Sequence, residues 1–280
     1  MSGNGVRRAH SGPDTVPDLL DLGIYLLVGS LAGVMAGLLG VGGGLVIVPA
    51  LIWVFHGNGF DASLIVHLAV GTSLATIIVT SISSIKAHHR RGAVHWELVA
   101  QLAPGIVLGA WLGAALADAL PTLWLQRVFA GFVILVGLQM LSGAHAEAHR
   151  PLPARTGMFL AGGGIGTVSA IVGIGGGSLT VPFLNWCSVH MRNAVATSAA
   201  CGLPIAVAGT LGFVVAGWGD AGLPAASTGF VYWPAFACIS IASFLFAPLG
   251  AGLAHSLPLP VLKRVFAALL LLVGAKMLIG

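Results

Sequence analysis

The chain has 280 residues; 57% are hydrophobic and 7% are charged, with a mean hydropathy of +1.00. A soluble domain carries roughly 25% charged residues, so this chain cannot cover a water-facing surface and reads as a polytopic membrane protein. Its net charge of +4 does not point to nucleic acid, because the Lys and Arg residues fall mostly in connections, where they act as a topology signal.

Residues 1–22 contain Gly, Pro, Asp and Ser without the apolar core of a signal peptide. They read as a disordered tail. The apolar runs that follow are long rather than alternating over about ten residues, which favours helices over a barrel. The first segment is expected from about Gly23 to Leu39, and a shorter one ends near Phe55. Between them lies Gly40-Val41-Gly42-Gly43-Gly44. After a turn at His56-Gly57-Asn58-Gly59, helices are expected over about Ala62–Ile85, Val94–Leu116 and Trp124–Leu141. The basic run Lys86-Ala87-His88-His89-Arg90-Arg91 closes the first of these. Residues 143–155 are polar and read as a cytoplasmic linker.

The pattern then repeats. A segment over Gly157–Val172 meets a second triplet, Gly175-Gly176-Gly177, and a short segment runs to Cys187. Helices follow at about Asn193–Ala216, Phe230–Ala254 and Leu262–Leu278. Aligning the triplets gives a shift of 175 − 42 = 133, which also carries Pro49 onto Pro182 and Trp53 onto Trp186. Leu125-Gln126-Arg127-Val128-Phe129-Ala130 matches Leu262-Lys263-Arg264-Val265-Phe266-Ala267 at a shift of 262 − 125 = 137. Ala69-Val70-Gly71-Thr72-Ser73 resembles Ala194-Val195-Ala196-Thr197-Ser198 at 194 − 69 = 125. Residues 23–142 and 156–280 are therefore diverged copies of one unit.

Charge orients the copies. The Lys86–Arg91 loop is basic and expected in the cytoplasm. Its counterpart, Gly217–Thr228, has no Lys or Arg and one Asp220, so it is expected outside. Equivalent loops on opposite sides make the repeats inverted. The expected fold is an all-α polytopic membrane protein of two inverted repeats, each with a Gly-broken pair of short helices plus three long transmembrane helices. Both termini then fall outside, although Arg7 and Arg8 argue the other way.

Inverted repeats with breaks at matching places point to a secondary transporter with its site between the breaks. A glycine triplet leaves backbone N–H groups bare, and the helices after it present N-termini that attract anions. The candidate site is Gly42, Gly43 and Gly44 with Gly175, Gly176 and Gly177. The competing reading is that these glycines only let helices pack closely. Thr72, Ser73, Thr197 and Ser198 occupy matched places and read either as hydroxyl donors lining the site or as back-bonding to a carbonyl one turn earlier. His67 is the ionisable residue best placed for proton coupling; the alternative is a satisfied interfacial histidine. Cys187, Cys201 and Cys238 form no CxxC pair and read as small buried hydrophobes. No HExxH, GxSxG or phosphate-binding loop ending is present, so no enzyme, metal or cofactor is expected.

The two triplets followed by Val48-Pro49 and Val181-Pro182, the loop ending Arg90-Arg91-Gly92-Ala93-Val94-His95-Trp96, and the paired Arg-Val-Phe-Ala segments resemble the TauE/SafE sulfite exporter family. The resemblance covers about Gly23 to Gly280. It implies a multi-pass permease of the bacterial inner membrane that moves sulfite, a sulfonate or a related organic anion. The expected partners are that small anion and the lipid bilayer, with no nucleic acid; a homodimer is compatible with the sequence. An anion channel and a scaffold subunit without cargo are the alternative functions.

Overall fold

In a bilayer the backbone must satisfy its own N–H and C=O groups, and an apolar chain does so by coiling. The computed structural model describes residues 17–39, 43–142, 151–253 and 259–279. These form α1 (Leu19–Leu39), α2 (Gly44–Gly57), α3 (Ile65–His89), α4 (Trp96–Ala119), α5 (Thr122–Ser142), α6 (Arg155–Val172), α7 (Gly177–Trp186), α8 (Met191–Ala216), α9 (Trp233–Leu253) and α10 (Leu259–Ile279). A two-stranded hairpin, β1 (Ser227–Thr228) with β2 (Val231–Tyr232), precedes α9. Six of the helical stretches are long and apolar enough to cross a membrane. Leu112, Leu135, Leu245 and Leu272 are more than half exposed, as an outer surface in contact with lipid tails requires.

The boundaries depart from the sequence expectation where local chemistry intervenes. The helix α1 starts at Leu19, because Asp18 accepts the Leu19 N–H through Oδ1 at 2.8 Å and the Leu22 N–H through its carbonyl at 3.1 Å. Asp21, read from sequence as part of the tail, is thereby built into the fold. Asp61 accepts from both the N–H and the hydroxyl of Ser63. Those bonds hold its carboxyl below the usual range, and the turn they make delays α3 to Ile65. The helix α3 runs on through Lys86 to His89, whose positive side chains suit a helix C-terminus. Phe230 to Tyr232, expected in a helix, belong to the hairpin: Ala226 and Gly229 turn the chain at φ 62° and 52°. Pro234 lies in the first turn of α9, where a missing N–H costs little.

Each broken pair combines a longer helix with a shorter one: 21 and 14 residues for α1 and α2, 18 and 10 for α6 and α7. The packing follows a two-fold exchange in which α1 to α5 correspond to α6 to α10. The helix α1 lies along α9, and its counterpart α6 lies along α4; α3 packs on α8, and α5 on α10. In α3, 83% of the apolar stretch is buried, against 33% in α5, so α3 is a central post and α5 an outer one.

Glycines form the exchanged contacts. A Cβ on Gly29 or Gly33 of α1 would stand 2.6 Å from the carbonyl oxygen of Ile239 or Ser243 on α9. Gly105 and Gly109 of α4 meet Phe159 and Gly163 of α6 in the same manner. Such backbone-to-backbone approach is how helices associate in lipid, where burial between them gains nothing from water.

Substituting Gly109→Ala is expected to force α4 and α6 apart and destabilise the protein by about 1–3 kcal/mol, the usual cost of overpacking. A Cβ on Gly131 meets nothing within 4 Å, so Gly131→Ala is expected to be neutral or to stabilise by up to about 1 kcal/mol through helix propensity. Thermal unfolding of both variants in detergent checks the contrast.

Candidate functional site at the glycine breaks

Gly43 and Gly176 are the N-cap residues of α2 and α7, with φ 73° and ψ −19° in the first and φ 74° and ψ −10° in the second. Positive φ is open to glycine and strained for other residues. Neither cap offers a side-chain hydrogen bond to the helix. The carbonyl of Gly43 takes Val46 and Ile47 N–H, and that of Gly176 takes Leu179 and Thr180 N–H. The amides ahead of them in each first turn lie beyond the helical ladder. Gly42 lies outside the described residues.

The two breaks meet. Gly44 packs against the backbone of Gly173 and Ile174, so closely that a Cβ there would overlap the Gly173 carbonyl oxygen. Gly173 itself has φ 72° and ends α6. The Ser73 hydroxyl of α3 donates to that carbonyl at 2.8 Å. From α8, Gly202 faces the Gly175 carbonyl and the Ser81 hydroxyl. Glycine breaks from both halves are thus clasped between α3 and α8. Gly175 and Gly177 are buried with them.

Two further hydroxyls, those of Ser169 and Thr180, stand at the second break, with Ser178 beside them in the sequence. Ser169 closes the last turns of α6, while Ser178 and Thr180 open α7. All are buried, at 0%, 8% and 0% exposure, with no hydrogen-bond partner among the described residues. The Oγ1 of Thr180 and the Oγ of Ser169 stand 3.4 and 3.5 Å from where a Cβ on Gly176 would sit. A buried hydroxyl without a partner costs roughly 1–3 kcal/mol, so three of them make a costly arrangement. Sequence reasoning did not single them out. The signal lay in the repeat: the shift of 133 pairs them with Ala36, Leu45 and Ile47, which are all apolar.

Thr72 and Thr197 each accept a backbone bond from the opposite half. The N–H of Tyr232 donates to Thr72 Oγ1 at 2.9 Å, and the N–H of His95 donates to Thr197 Oγ1 at 3.1 Å. Tyr232 and His95 are themselves equivalent (232 − 95 = 137), each directly before the fourth helix of its half. Each threonine therefore caps the fourth helix of the opposite repeat. Ser198 back-bonds to Val195 O at 2.8 Å, as one of the two sequence readings had it. His67 is held at the opposite end of this core. Its Nε2 lies 3.0 Å from Ala117 O, an acceptor only, so Nε2 carries a proton; Phe230 packs 5.2 Å from the ring. It stands six residues from Ser73, about 9 Å along the helix, and does not reach the breaks.

An open cleft of about 490 Å³ lies where α3–α4 and α7–α8 connect, lined by His95, Trp96, Glu97, Ser188 and His190. Asn193 Nδ2 approaches His95 Nε2 at 2.7 Å. The equivalent place around Tyr232 is filled instead: Phe55 and Phe60 pack on its ring at 5.5 and 5.3 Å. Among the described residues no group of His, Cys, Asp and Glu is suited to a metal ion.

Comparison with known proteins gives a family match to "Sulfite exporter TauE/SafE" over residues 25–277. A "Probable membrane transporter protein" of Haemophilus influenzae is 37% identical over 91% of this chain and 97% of its own. Similar proteins of the same description from Methanocaldococcus jannaschii (MJ0441) and Bacillus subtilis (YdhB) are 27% and 26% identical, over 82% and 70% of this chain and 83% and 80% of theirs. No solved structure matches the chain.

Replacing Thr72 by Val leaves the buried Tyr232 N–H without its acceptor. The expected loss is about 1–3 kcal/mol of stability. Thr197→Val is expected to cost less, because the equivalent bond is partly exposed. Melting temperatures of the two purified variants test the order.

Proposed function

The chain belongs to the sulfite exporter TauE/SafE family, a family of multi-pass membrane transporters, and on that premise we propose that it carries a small anion through the two glycine breaks by alternating access between inverted repeats. The cargo is sulfite, a sulfonate or a related organic anion, and the membrane is the bacterial inner membrane. The observation that carries this reading is the pair Ser169 and Thr180 at the uncapped start of α7. The Ser169 and Thr180 hydroxyls and a helix N-terminus make an anion cradle without a fixed cation. Gly43, Gly44, Gly175, Gly176 and Gly177 supply backbone donors, and Ser73 fixes the Gly173 carbonyl away from the ligand. Holding the anion with neutral groups also suits release, since no ion pair has to be broken.

The two-fold exchange of helices supports the alternating-access part. With Lys86–Arg91 in the cytoplasm, the open cleft at His95 faces inside and the packed Tyr232 cluster faces outside. Interchanging these two arrangements between the equivalent halves converts an inward-facing carrier into an outward-facing one. No catalytic step is part of this function.

Thr180→Val separates the site from the scaffold. It removes an unpartnered buried hydroxyl at nearly constant shape, so the unliganded protein should melt at the same temperature or higher. Binding should weaken by roughly 1.5–3 kcal/mol, the value of a hydrogen bond to a charged group, or about ten- to a hundredfold. The measurement is the melting temperature against a panel of sulfite, sulfate, thiosulfate, sulfoacetate, taurine, acetate and chloride, since a ligand bound only by the folded state raises it. A shift with one sulfur oxyanion that Thr180→Val abolishes supports the site. Equal shifts in both proteins place the site elsewhere. Flux in liposomes that never saturates selects a channel.

A further inference from the structure

Asp21 lies in the first turn of α1 and is only 8% exposed. A carboxylate withdrawn into a spanning helix is costly unless something neutralises it. Its hydrogen-bond partner is a neutral amide: Asn58 Nδ2 donates to Oδ2 at 2.9 Å. One turn along the same face, Tyr25 is 1% exposed, and its hydroxyl has no partner among the described residues. The groups around Asp21 from other elements are the Tyr232 phenol of β2 and, beside Tyr25, the Cys238 thiol of α9. Burial, and then the Asp21 carboxylate, hold the Tyr232 phenol above its usual range. The charged or titratable residues on adjoining segments, Asp18, His56 and Asp61, are exposed. Among the described residues, the groups that face Asp21 are acids or neutral dipoles.

We propose that Asp21 is the proton-binding group of the transport cycle, a proposal that rests on the transport reading above. The carboxylate takes up one proton and becomes a neutral carboxyl. The Asn58 amide, which donates to Oδ2 at 2.9 Å, loses its charged acceptor. Asn58 is the C-cap of α2, and the other end of α2, about 21 Å away at 1.5 Å per residue, is the first glycine break. A change of charge at Asp21 thus acts on one end of a rigid rod whose other end forms the anion site. In the proposed orientation Asp21 faces the outer side, from which a proton gradient would load it.

The test uses the full chain in liposomes. Infrared difference spectra, acid minus neutral, are expected to show the carbonyl band of a buried carboxylic acid in the wild type and not in Asp21→Asn. Asn58→Ala is expected to keep the band and shift it, the carboxyl having lost its hydrogen-bond donor. The same unshifted band in all three proteins would falsify the assignment. With sulfite as the probe, Asp21→Asn is expected to retain sulfite–sulfite exchange and to lose accumulation driven by a pH gradient. Undiminished pH-driven accumulation in that variant overturns the proposal. If the wild type shows no saturable sulfite flux, the sulfite reading fails, and the infrared band still decides whether Asp21 binds the proton.

Discussion

A helix that stops inside an apolar structure leaves backbone amides with no water to bond, and this architecture depends on where it lets that happen. It does so twice, at Gly43 and Gly176, with almost the same backbone angles. Everything nearby is arranged around those stops. The central posts α3 and α8 contribute Ser73 and Gly202 to the broken ends: the one bonds Gly173, the other packs on Gly175. The glycine seams of the outer helices fix the posts. Amides left without a partner in an apolar structure are costly, and the proposed anion would supply one.

The halves are alike in scaffold and unlike in chemistry. The capping bonds to Thr72 and Thr197 are equivalent, and so are the helix exchanges. The residues that touch the breaks are not: Ser169, Ser178 and Thr180 face positions held by Ala36, Leu45 and Ile47 in the other copy. In the transport reading proposed above, the shared scaffold would allow the two arrangements to interchange, and the polar wall of one half would do the recognising.

The amount legible in the sequence varies with range. The ten helical segments were visible because apolar runs interrupted by glycine triplets are local signals. The roles of Thr72 and Thr197 were not, because their partners lie 160 and 102 residues away and a threonine in an apolar helix looks the same whether it caps or lines. Ser169, Ser178 and Thr180 flank the second triplet, yet small hydroxyl residues in an apolar run look like space-fillers until burial shows their hydrogens idle. Asp21 was assigned to the tail because a polar stretch precedes it. The hairpin was missed because Phe230-Val231-Tyr232-Trp233 is as apolar as a helix start.

The exchange of α1 and α6 has a consequence for the order in which the protein can be made. The helix α4 gains its glycine-seam partner soon after synthesis, since α6 begins 155 − 119 = 36 residues after α4 ends. The helix α1 waits far longer, because α9 begins 233 − 39 = 194 residues after α1 ends. Until then α1 has Asn58 for its Asp21 but lacks the Ile239 and Ser243 backbone on which Gly29 and Gly33 pack. The first half of the chain can thread the membrane by itself, but it closes only when the ribosome has nearly finished the second. Assembly of this protein is thus a late, concerted event, and the half-built chain is where its quality is decided.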